Sequence, residues 1–506
     1  MVRLTTVPGL WKVPNIASQT TTLAELALRK GFSPATSPAG YVLGVDASLW
    51  ILESYIRNDK NQHTADQDAL HTIYSRLERL YEAPVTPLFV FDGPPPALHE
   101  RAELVHRYAR WLEPGMQQFL AAFGFQHYMA PSDAHAELAR LNKEGVVDAV
   151  MTTAPEVLIY GARAVVRSTS ANSGPVIFYD VDGATASSPH LSCGGLMLAV
   201  LIKQCLPDCD TKAAVAIARY GSGDVLLHAA RTLNAAALEQ FLTGWREELR
   251  AQLAHDPRRL LDRPRPGLAA SNLIDVFPDN HLLLRYARPL TSWSLAAVPP
   301  RMVPVEPPRA DLITLTVLHT QYFGWQGPDV LAQGFRRAVW PGTCMRQIWA
   351  TVSMTCCPCK MCVPGASQGV LVLAPPHSFL DLHVKVFKRV QEQPHAEYDI
   401  EFSTVAYMHL ALAALGLLPP SPSPPPPPSP DLGGHMHLRM RVPATLLDLA
   451  YPQLPSLVRR HSGEGPIFVC NSAVASTASG LSPQAAQHEV IDLTHEDDDA
   501  SLVVCR

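Results

Sequence analysis

A buried strand that ends directly in an aspartate occurs twice within the first hundred residues. The segments are YVLGVDASLWIL at 41–52 and VTPLFVFD at 85–92, and their acidic residues are Asp46 and Asp92. The stretch between them carries apolar side chains at the spacing of one helical face, namely Leu70, Ile73, Leu77 and Leu80. Strand, helix and strand in this order predict a parallel α/β sheet.

Further elements of the same type follow along the chain. The pattern predicts a helix over 102–123, a strand over 126–129, a helix over 134–143 and a strand over 147–151. Ligands of such sheets bind beyond the carboxyl ends of the strands. Asp46 and Asp92 end two of these strands, and Asp133 precedes the helix after a third, so we expect the three carboxylates to converge.

Converging carboxylates repel one another, and a divalent cation commonly neutralises them and assists phosphoryl transfer. The alternative is structural, because an aspartate after a strand often forms a turn and Asp133 stands where a helix N-cap is expected. The sequence alone leaves both interpretations open for each of the three residues.

Length and composition indicate a multidomain chain without a membrane segment. The 506 residues exceed what one core normally serves, so two or three folded units are expected. The N-terminus lacks a signal-peptide core, and the longest apolar stretches are too short to span a bilayer. The 10 cysteines are unevenly spaced, which predicts reduced thiols in an intracellular protein. The proline run at 419–430 predicts a polyproline II spacer.

A net charge of −5 argues against a surface that binds DNA throughout, so a nucleic-acid site must be a local patch. The best local candidate is the segment 246–265, and a solvated helix face followed by a linker is the alternative. Its basic residues are Arg246, Arg250, Arg258, Arg259, Arg263 and Arg265.

Two other clusters have plain explanations beside functional ones. Four thiols between Cys356 and Cys362 offer zinc ligands, but structural zinc usually takes two separated pairs, so a reduced loop is favoured. Four aromatic side chains form either a recognition surface or the module's own core, and core packing is favoured. They are Phe323, Trp325, Phe335 and Trp340.

Five blocks of sequence, in order, resemble the XPG-type structure-specific nucleases. They are VPGLW at Val7, GVDASLWI at Gly44, VFDGPPP at Val90, APSDAHAELARLNKEGVVDAV at Ala130 and the following LIYGA. The later FPD, TSWS, FGW and WPG segments resemble the C-terminal region of fungal Holliday-junction-resolvase relatives. The resemblance implies a PIN-like parallel-sheet nuclease core, then a helical hairpin-type unit and a smaller C-terminal module.

With the composition, this resemblance predicts six regions. They are an XPG N-terminal-like region at 1–125, an XPG-I-like region at 126–194, a degenerate helix-hairpin-helix unit at 195–265, a C-terminal module at 272–417, the proline linker at 419–430 and a tail at 431–506.

The family implies two magnesium ions held by roughly seven acidic side chains. By position, Asp46 and Asp92 match the first two aspartates of the family. Asp133, whose side chain is one methylene shorter, stands at a family glutamate position. His135 stands at the next glutamate position; an imidazole can ligate a cation, but magnesium prefers oxygen. Glu137 lies two residues on, about 200° around the helix, and is predicted to be a surface residue.

Two further family segments are altered. In TTAPEVLIYGA, Ala154 and Glu156 occupy places that the family gives to aspartates. In the hairpin, Asp208 and Asp210 stand where the family has glycines. Those glycines let the backbone approach a DNA phosphate closely, and the family's hairpin binds duplex DNA through a potassium ion. The reduced acid set predicts one weakly held ion rather than two.

The resemblance therefore implies a nuclear DNA-repair endonuclease for branched or flapped DNA, dependent on Mg²⁺ or Mn²⁺, with activity weakened. Its implied catalytic residues are Asp46, Asp92, Asp133 and Glu156, with His135 as an additional metal ligand. The alternative is an inactive pseudonuclease that binds DNA junctions or serves as a protein scaffold.

The tail HEVIDLTHEDDD resembles a SUMO-interacting motif, in which a short apolar strand is followed by acids. The strand-forming part is Val490, Ile491, Asp492 and Leu493. An ordinary acidic tail is the alternative interpretation.

Overall fold

The computed structural model describes most of the chain up to residue 355 and separate segments beyond it. The described residues are 11, 18–32, 40–58, 65–94, 112–168, 175–181, 191–206, 209–294, 307–325, 327–355, 383–391, 396–416, 437–450, 454–455, 467–470 and 502–505. The cysteine cluster, the proline run, Asp208 and the SUMO-like motif lie outside them. Within these ranges, no helix combines the length and apolar character needed to cross a membrane.

A seven-stranded sheet forms the centre of the protein, in the order β1-β7-β6-β5-β2-β3-β4. The five strands from β6 to β4 are parallel to one another, while β7 and β1 add an antiparallel edge. The predicted parallel α/β core is thereby confirmed. The strands are β1 (Ser18–Thr21), β2 (Tyr41–Asp46), β3 (Val85–Phe91), β4 (Gln126–Met129), β5 (Ala149–Met151), β6 (Ala164–Ser168) and β7 (Val176–Asp180).

The two central strands are apolar runs that are buried along their whole length, as expected where helices cover both faces of a sheet. Leu43 and Phe89 face one core, whereas Val42 and Val90 face the other. The first core lies under α1 (Leu23–Gly31), α2 (Ala47–Asn58), α3 (Ala65–Glu82) and α4 (Leu112–Ala122).

A helical layer covers the opposite face of the sheet. It begins with α5, which follows β4 directly, and continues through the hairpin unit to residue 287. Its helices are α5 (Ala134–Lys143), α6 (Cys193–Cys205), α7 (Thr211–Ala218), α8 (Ser222–Thr232), α9 (Ala235–His255), α10 (Pro266–Ala269), α11 (Leu273–Val276) and α12 (Asn280–Ala287).

Most of the remaining described chain contributes to the first core. Its helices are α13 (Leu312–Phe323), α14 (Pro328–Arg336), α15 (Val339–Thr355), α16 (Val405–Ala414) and α17 (Ala444–Ala450). Of these, α13 and α15 pack against α3. A second sheet in the order β10-β9-β8-β11-β12 accompanies them. Its strands are β8 (His383–Gln391), β9 (Ala396–Ser403), β10 (His437–Pro443), β11 (Ile467–Cys470) and β12 (Leu502–Cys505).

Three sequence predictions can be compared directly with these elements. The strand predicted to end at Asp46 is confirmed as β2, and α2, which the sequence analysis did not predict, begins at Ala47. Strand β5 begins at Ala149 rather than at 147. Core packing of the four aromatic residues is confirmed: Phe335 and Trp340 are fully buried, and Phe323 and Trp325 pack against the same core.

Candidate active site

The register of the sheet brings Asp46 and Asp92 to one edge. Asp46 is paired with Val90, so Asp92 lies two residues beyond that pair, at the carboxyl end of β3. Asp46 is completely buried, and its Oδ1 accepts a hydrogen bond from the backbone N–H of Leu49, 2.9 Å away. The backbone N–H of Asp92 donates to Ser48 Oγ at 2.8 Å. The start of α2 therefore holds both strand ends.

Asp133 is the N-cap of α5, which confirms its structural interpretation. Its Oδ1 accepts a hydrogen bond from the backbone N–H of His135 at 2.8 Å. Asp92 Oδ1 accepts one from the N–H of the next residue, Ala134, also at 2.8 Å. Two of the predicted acids thus meet at the N-terminus of one helix, where the helix dipole favours negative charge.

His135 lies between two of these carboxylates. Its Nε2 is 2.5 Å from Asp46 Oδ2, its Nδ1 is 3.3 Å from Asp133 Oδ1, and the ring is almost fully buried. The two ring nitrogens therefore lie within ion-pair distance of both carboxylates.

A second cation reaches the same site from α12. Arg285 Nη2 lies 3.1 Å from Asp133 Oδ2. Burial acts to lower the pKa of Arg285, but the charges of Asp133, Tyr160 and Tyr286 and the hydrogen bond to Asp133 together outweigh it, and the pKa is raised above its usual range. The sequence analysis missed Arg285, because nothing local links it to an acid 152 positions earlier.

Glu156 and Ala154 occupy the next strand end. Glu156 is buried in the short 3₁₀ turn Pro155–Leu158, and burial together with the nearby Glu156 charge raises the pKa of Tyr286. Ala154 is fully buried and offers a methyl group where the family keeps a carboxylate. Its backbone N–H donates to Thr152 Oγ1 at 3.1 Å.

The described residues do not fit a two-metal centre. No group of three or more His, Cys, Asp or Glu side chains within the described ranges is arranged to hold a metal ion. The carboxylates of Asp46 and Asp133 face nitrogen atoms of His135 and Arg285, which do not supply the additional oxygen ligands that magnesium prefers.

The prediction that Glu137 is a surface residue is wrong. Glu137 is completely buried and accepts hydrogen bonds from Tyr128 Oη at 2.9 Å and from the N–H and hydroxyl of Ser292. Helical geometry placed it correctly away from the site, but the TSWS segment covers that face of α5. Glu137 thus anchors this later segment to the nuclease core.

The hairpin unit carries its aspartate in a structural role. Asp210 is the N-cap of α7, accepting from the N–H of Ala213 at 2.7 Å, and Arg265 Nη2 is 3.8 Å from its Oδ2. The negative charge that the sequence places in the hairpin therefore lies beside a guanidinium group.

The predicted arginine patch divides into two parts. Arg246 and Arg250 on α9 form ion pairs with Glu239 and Asp275. Three exposed arginines follow in the segment 257–263, which we call the basic loop, and they are Arg258, Arg259 and Arg263.

The basic loop is rigidly held by one buried carboxylate. Asp256 accepts hydrogen bonds from the N–H groups of Leu260 at 2.8 Å and Leu261 at 3.1 Å, and from Tyr220 Oη at 2.6 Å. These bonds fix the backbone beside the exposed Arg258 and Arg259.

Comparison with known proteins agrees with this architecture. Residues 23–113 match the model of the XPG N-terminal domain, and residues 124–190 match that of the XPG I-region. Flap endonuclease 1 of Methanocaldococcus jannaschii is 30% identical over 146 residues, which cover 23% of this chain and 44% of the relative. Flap endonuclease GEN homolog 1 of Mus musculus is 26% identical over 175 residues, or 31% of this chain and 18% of the relative. The match thus spans less than half the length of either relative.

Solved structures extend the likeness in fold beyond these two domains. The Holliday junction-resolving enzyme GEN1, in complex with product DNA and Mg²⁺, aligns with 90% of this chain and 99% of its own, with a TM-score of 0.60 and 19% identity. A structure of GEN-1 with potassium gives the same TM-score of 0.60.

The family models thus identify an XPG N-terminal domain and an XPG I-region in the first 190 residues of this chain. The likeness to the GEN1 structures is one of overall fold.

Proposed function

We propose that this chain is an XPG-family structure-selective DNA endonuclease that acts on branched or flapped DNA with weakened hydrolytic activity. One observation supports the proposal above all: Asp46, Asp92 and Asp133 meet at the carboxyl edge of a parallel sheet inside an XPG-type fold. Relatives that share these domains are flap endonucleases by name.

The weakening follows from the charges at the site. Family members with a full acid set would bind divalent cations that activate the attacking water. In this chain, Ala154 removes one acid, while His135 and Arg285 hold two of the remaining ones. Mg²⁺, or Mn²⁺ in its place, is the cation proposed for any cleavage. The ligands proposed from the protein are Asp46, Asp92, Asp133 and Glu156.

The basic loop is the proposed contact with the DNA backbone. Arg258, Arg259 and Arg263 are exposed on a segment that Asp256 fixes, and phosphate contacts of this kind give affinity without reading sequence. Such a contact suits a protein that recognises DNA structure rather than a base sequence.

A second candidate function is junction binding without cleavage. It is favoured by the Asp133–Arg285 ion pair and by the close contact of His135 with Asp46, because carboxylates already held by nitrogen groups of the protein are poor ligands for a metal ion. In this case the chain would act as a pseudonuclease that recruits or protects branched DNA.

Cleavage and binding assays on labelled flap and four-way-junction DNA, with Mg²⁺ or Mn²⁺, separate these candidates. Asp46→Ala and Asp92→Ala are compared with Glu247→Ala, which removes an exposed carboxylate from α9. Slow cleavage that both site variants abolish and Glu247→Ala retains would support the endonuclease. Tight junction binding with intact DNA in every reaction would support the pseudonuclease, and absence of both properties in the folded wild-type protein would overturn both.

The tail also carries a proposed interaction that accords with a nuclear protein. We propose that Val490, Ile491, Asp492 and Leu493 add one strand to the edge of the SUMO sheet, with the following acids facing a basic rim. Capture of the full chain on immobilised SUMO, abolished in a variant with alanine at 490, 491 and 493, tests the partner. Imaging of the tagged protein tests nuclear localisation.

A further inference from the structure

A cavity of about 890 Å³ lies where the nuclease core meets the second sheet. Helices α1, α2 and α3 and the carboxyl end of β5 line it from the core, and β9 and β10 line it from the second sheet. The second sheet contributes Glu397 and Arg441, whose charged groups lie 3.7 Å apart. A cavity of this volume is large enough for a small organic ligand.

Three arginine side chains of α2 and α3 give the cavity a positive wall, and they are Arg57, Arg76 and Arg79. Arg76 is fixed, because its Nη1 lies 3.0 Å from Glu53 Oε2 and its guanidinium lies 5.3 Å from the centre of the Trp50 ring. Glu53 is fixed in turn by a 2.5 Å hydrogen bond from Thr153 Oγ1. This part of the wall is therefore formed before any ligand binds.

The arginines of this wall act on one another electrostatically. Burial and, to a smaller extent, the charge of Arg57 lower the pKa of Arg76, although the ion pair with Glu53 acts in the opposite direction. Burial and the charges of Arg337 and Arg76 likewise lower the pKa of Arg79, although two glutamates of α3 act in the opposite direction. A bound anion would relieve this repulsion, since a negative charge stabilises the charged form of each guanidinium.

The remaining lining is mostly apolar, with hydroxyl groups at two exposed positions. The hydroxyls belong to Thr22 and Ser168. A nucleobase has apolar faces and hydrogen-bonding edges, so a lining of this kind matches it better than it matches an aliphatic chain. The main apolar side chains are Leu23, Trp50, Ile56, Met151, Val176 and Met345.

We propose that this cavity binds a mononucleotide, whose phosphate is held by Arg57 and Arg79 and whose base lies against the apolar lining. Guanidinium groups donate paired hydrogen bonds to phosphate oxygens, which is why arginine rather than lysine suits such a site. The three described carboxylates of the sheet edge, Asp46, Asp92 and Asp133, lie outside the lining of the cavity. The inference therefore concerns a second site and does not depend on whether the chain cleaves DNA.

Isothermal titration calorimetry of the full chain with adenosine 5′-monophosphate and thymidine 5′-monophosphate, in EDTA and without DNA, tests the proposal. Both mononucleotides should bind at one site per chain. Adenosine and inorganic phosphate, each of which is one part of the ligand, should bind at least about tenfold more weakly. The double variant Arg57→Ala and Arg79→Ala should also bind the mononucleotides at least about tenfold more weakly, because two charge-assisted interactions are lost.

Matched variants separate the site from general effects of charge and folding. Arg29→Ala removes an exposed arginine of α1 outside the cavity lining and should leave binding unchanged. Ala24→Phe places a bulkier side chain in the cavity without changing its charge and should weaken binding by about tenfold. Circular dichroism and thermal unfolding establish that each variant is folded before it is compared.

The outcomes separate this site from the proposed DNA-binding surface. Absence of mononucleotide binding by the folded wild-type protein would overturn the proposal, and so would equal binding by the double variant. Loss of binding on replacement of the basic-loop arginines by alanine would assign the phosphate to that loop and overturn it as well. A 5′-phosphorylated single-stranded oligonucleotide that binds only with Arg57 and Arg79 intact, without binding of free mononucleotides, would assign the cavity to a DNA strand end instead. Failure to bind or cleave branched DNA would overturn the proposed function and leave the mononucleotide result to stand.

Discussion

Glu137 and Ser292 form a buried double hydrogen bond between α5 and a segment 155 residues further along the chain. Ser292 Oγ donates to Glu137 Oε1 at 2.6 Å, and its backbone N–H donates to Oε2 at 2.9 Å. Through these two bonds, the TSWS segment is tied to the helix that carries His135 and that Asp133 caps.

Glu137→Ala should lower the free energy of unfolding by about 2–4 kcal/mol, because it leaves the buried N–H of Ser292 without its acceptor and creates a cavity. Urea denaturation measures the change. Glu144→Ala, at the exposed end of the same helix, removes only a surface ion pair with Arg140 and should cost about 0.5 kcal/mol or less. Equal costs for the two variants would contradict the anchoring role of Glu137.

The stability of the protein should depend on pH through His319. This residue is completely buried among aromatic rings, and burial lowers its pKa from 6.5 to about 4 despite a hydrogen bond with the Leu315 carbonyl. Between these values the unfolded chain binds more protons than the folded one, so the free energy of unfolding falls as pH falls from about 6.5 towards 4. The full decrease is on the order of 3 kcal/mol.

Chemical denaturation across this pH range, compared between wild type and His319→Leu, measures the contribution. The variant should lack the part of the pH dependence due to His319, whereas His281→Leu, at an exposed position on α12, should keep it. Parallel pH profiles for wild type and His319→Leu would contradict the prediction, because they would show that His319 takes up no proton on unfolding in this pH range.

Arg346 should be among the most sensitive positions outside the site. It is 2% exposed, and its guanidinium donates to the carbonyls of Leu80 and Tyr81, both at 3.0 Å, at the C-terminus of α3. Burial lowers the pKa of Arg346 to about 10, so it remains charged at neutral pH and complements the helix dipole.

Arg346→Met should therefore lower the free energy of unfolding by about 3–5 kcal/mol, since several buried carbonyls are left without their donor. Arg346→Lys keeps the charge but has fewer hydrogen-bond donors, so it should recover only part of the lost free energy of unfolding. Arg337→Met, at an exposed position nine residues earlier, should change stability by about 0.5 kcal/mol or less. Thermal and urea unfolding both report the difference.

Substitution of the basic loop should weaken DNA binding without unfolding the protein. A variant with Arg258→Ala, Arg259→Ala and Arg263→Ala should bind junction DNA more weakly, and the slope of log K against log salt should fall by about 0.9 for each phosphate that the variant no longer neutralises. Fluorescence anisotropy at several salt concentrations measures both quantities. Arg250→Ala, whose guanidinium is already paired with Asp275, should leave the slope unchanged.

Much of the fold follows from local patterns in the sequence. The strands at Asp46 and Asp92 and the helix that Asp133 caps all appear as predicted, because strand burial and N-capping depend on a few neighbouring residues. Helix α2, which begins directly after Asp46, was not predicted, because residues 47–52 are mostly apolar. An apolar run of this length does not distinguish a buried strand from a buried helix.

The sequence by itself determined which carboxylates lie at the sheet edge and which of the family's acids are replaced. Tertiary structure alone decided what those carboxylates contact: Arg285 reaches Asp133 from a helix 152 positions away, and Ser292 covers Glu137. The physical reason is the distance along the chain between the groups that interact. Strand ends and caps are fixed by neighbouring backbone and side-chain groups, whereas a buried charge takes its partner from whichever distant helix the packing of the core brings against it.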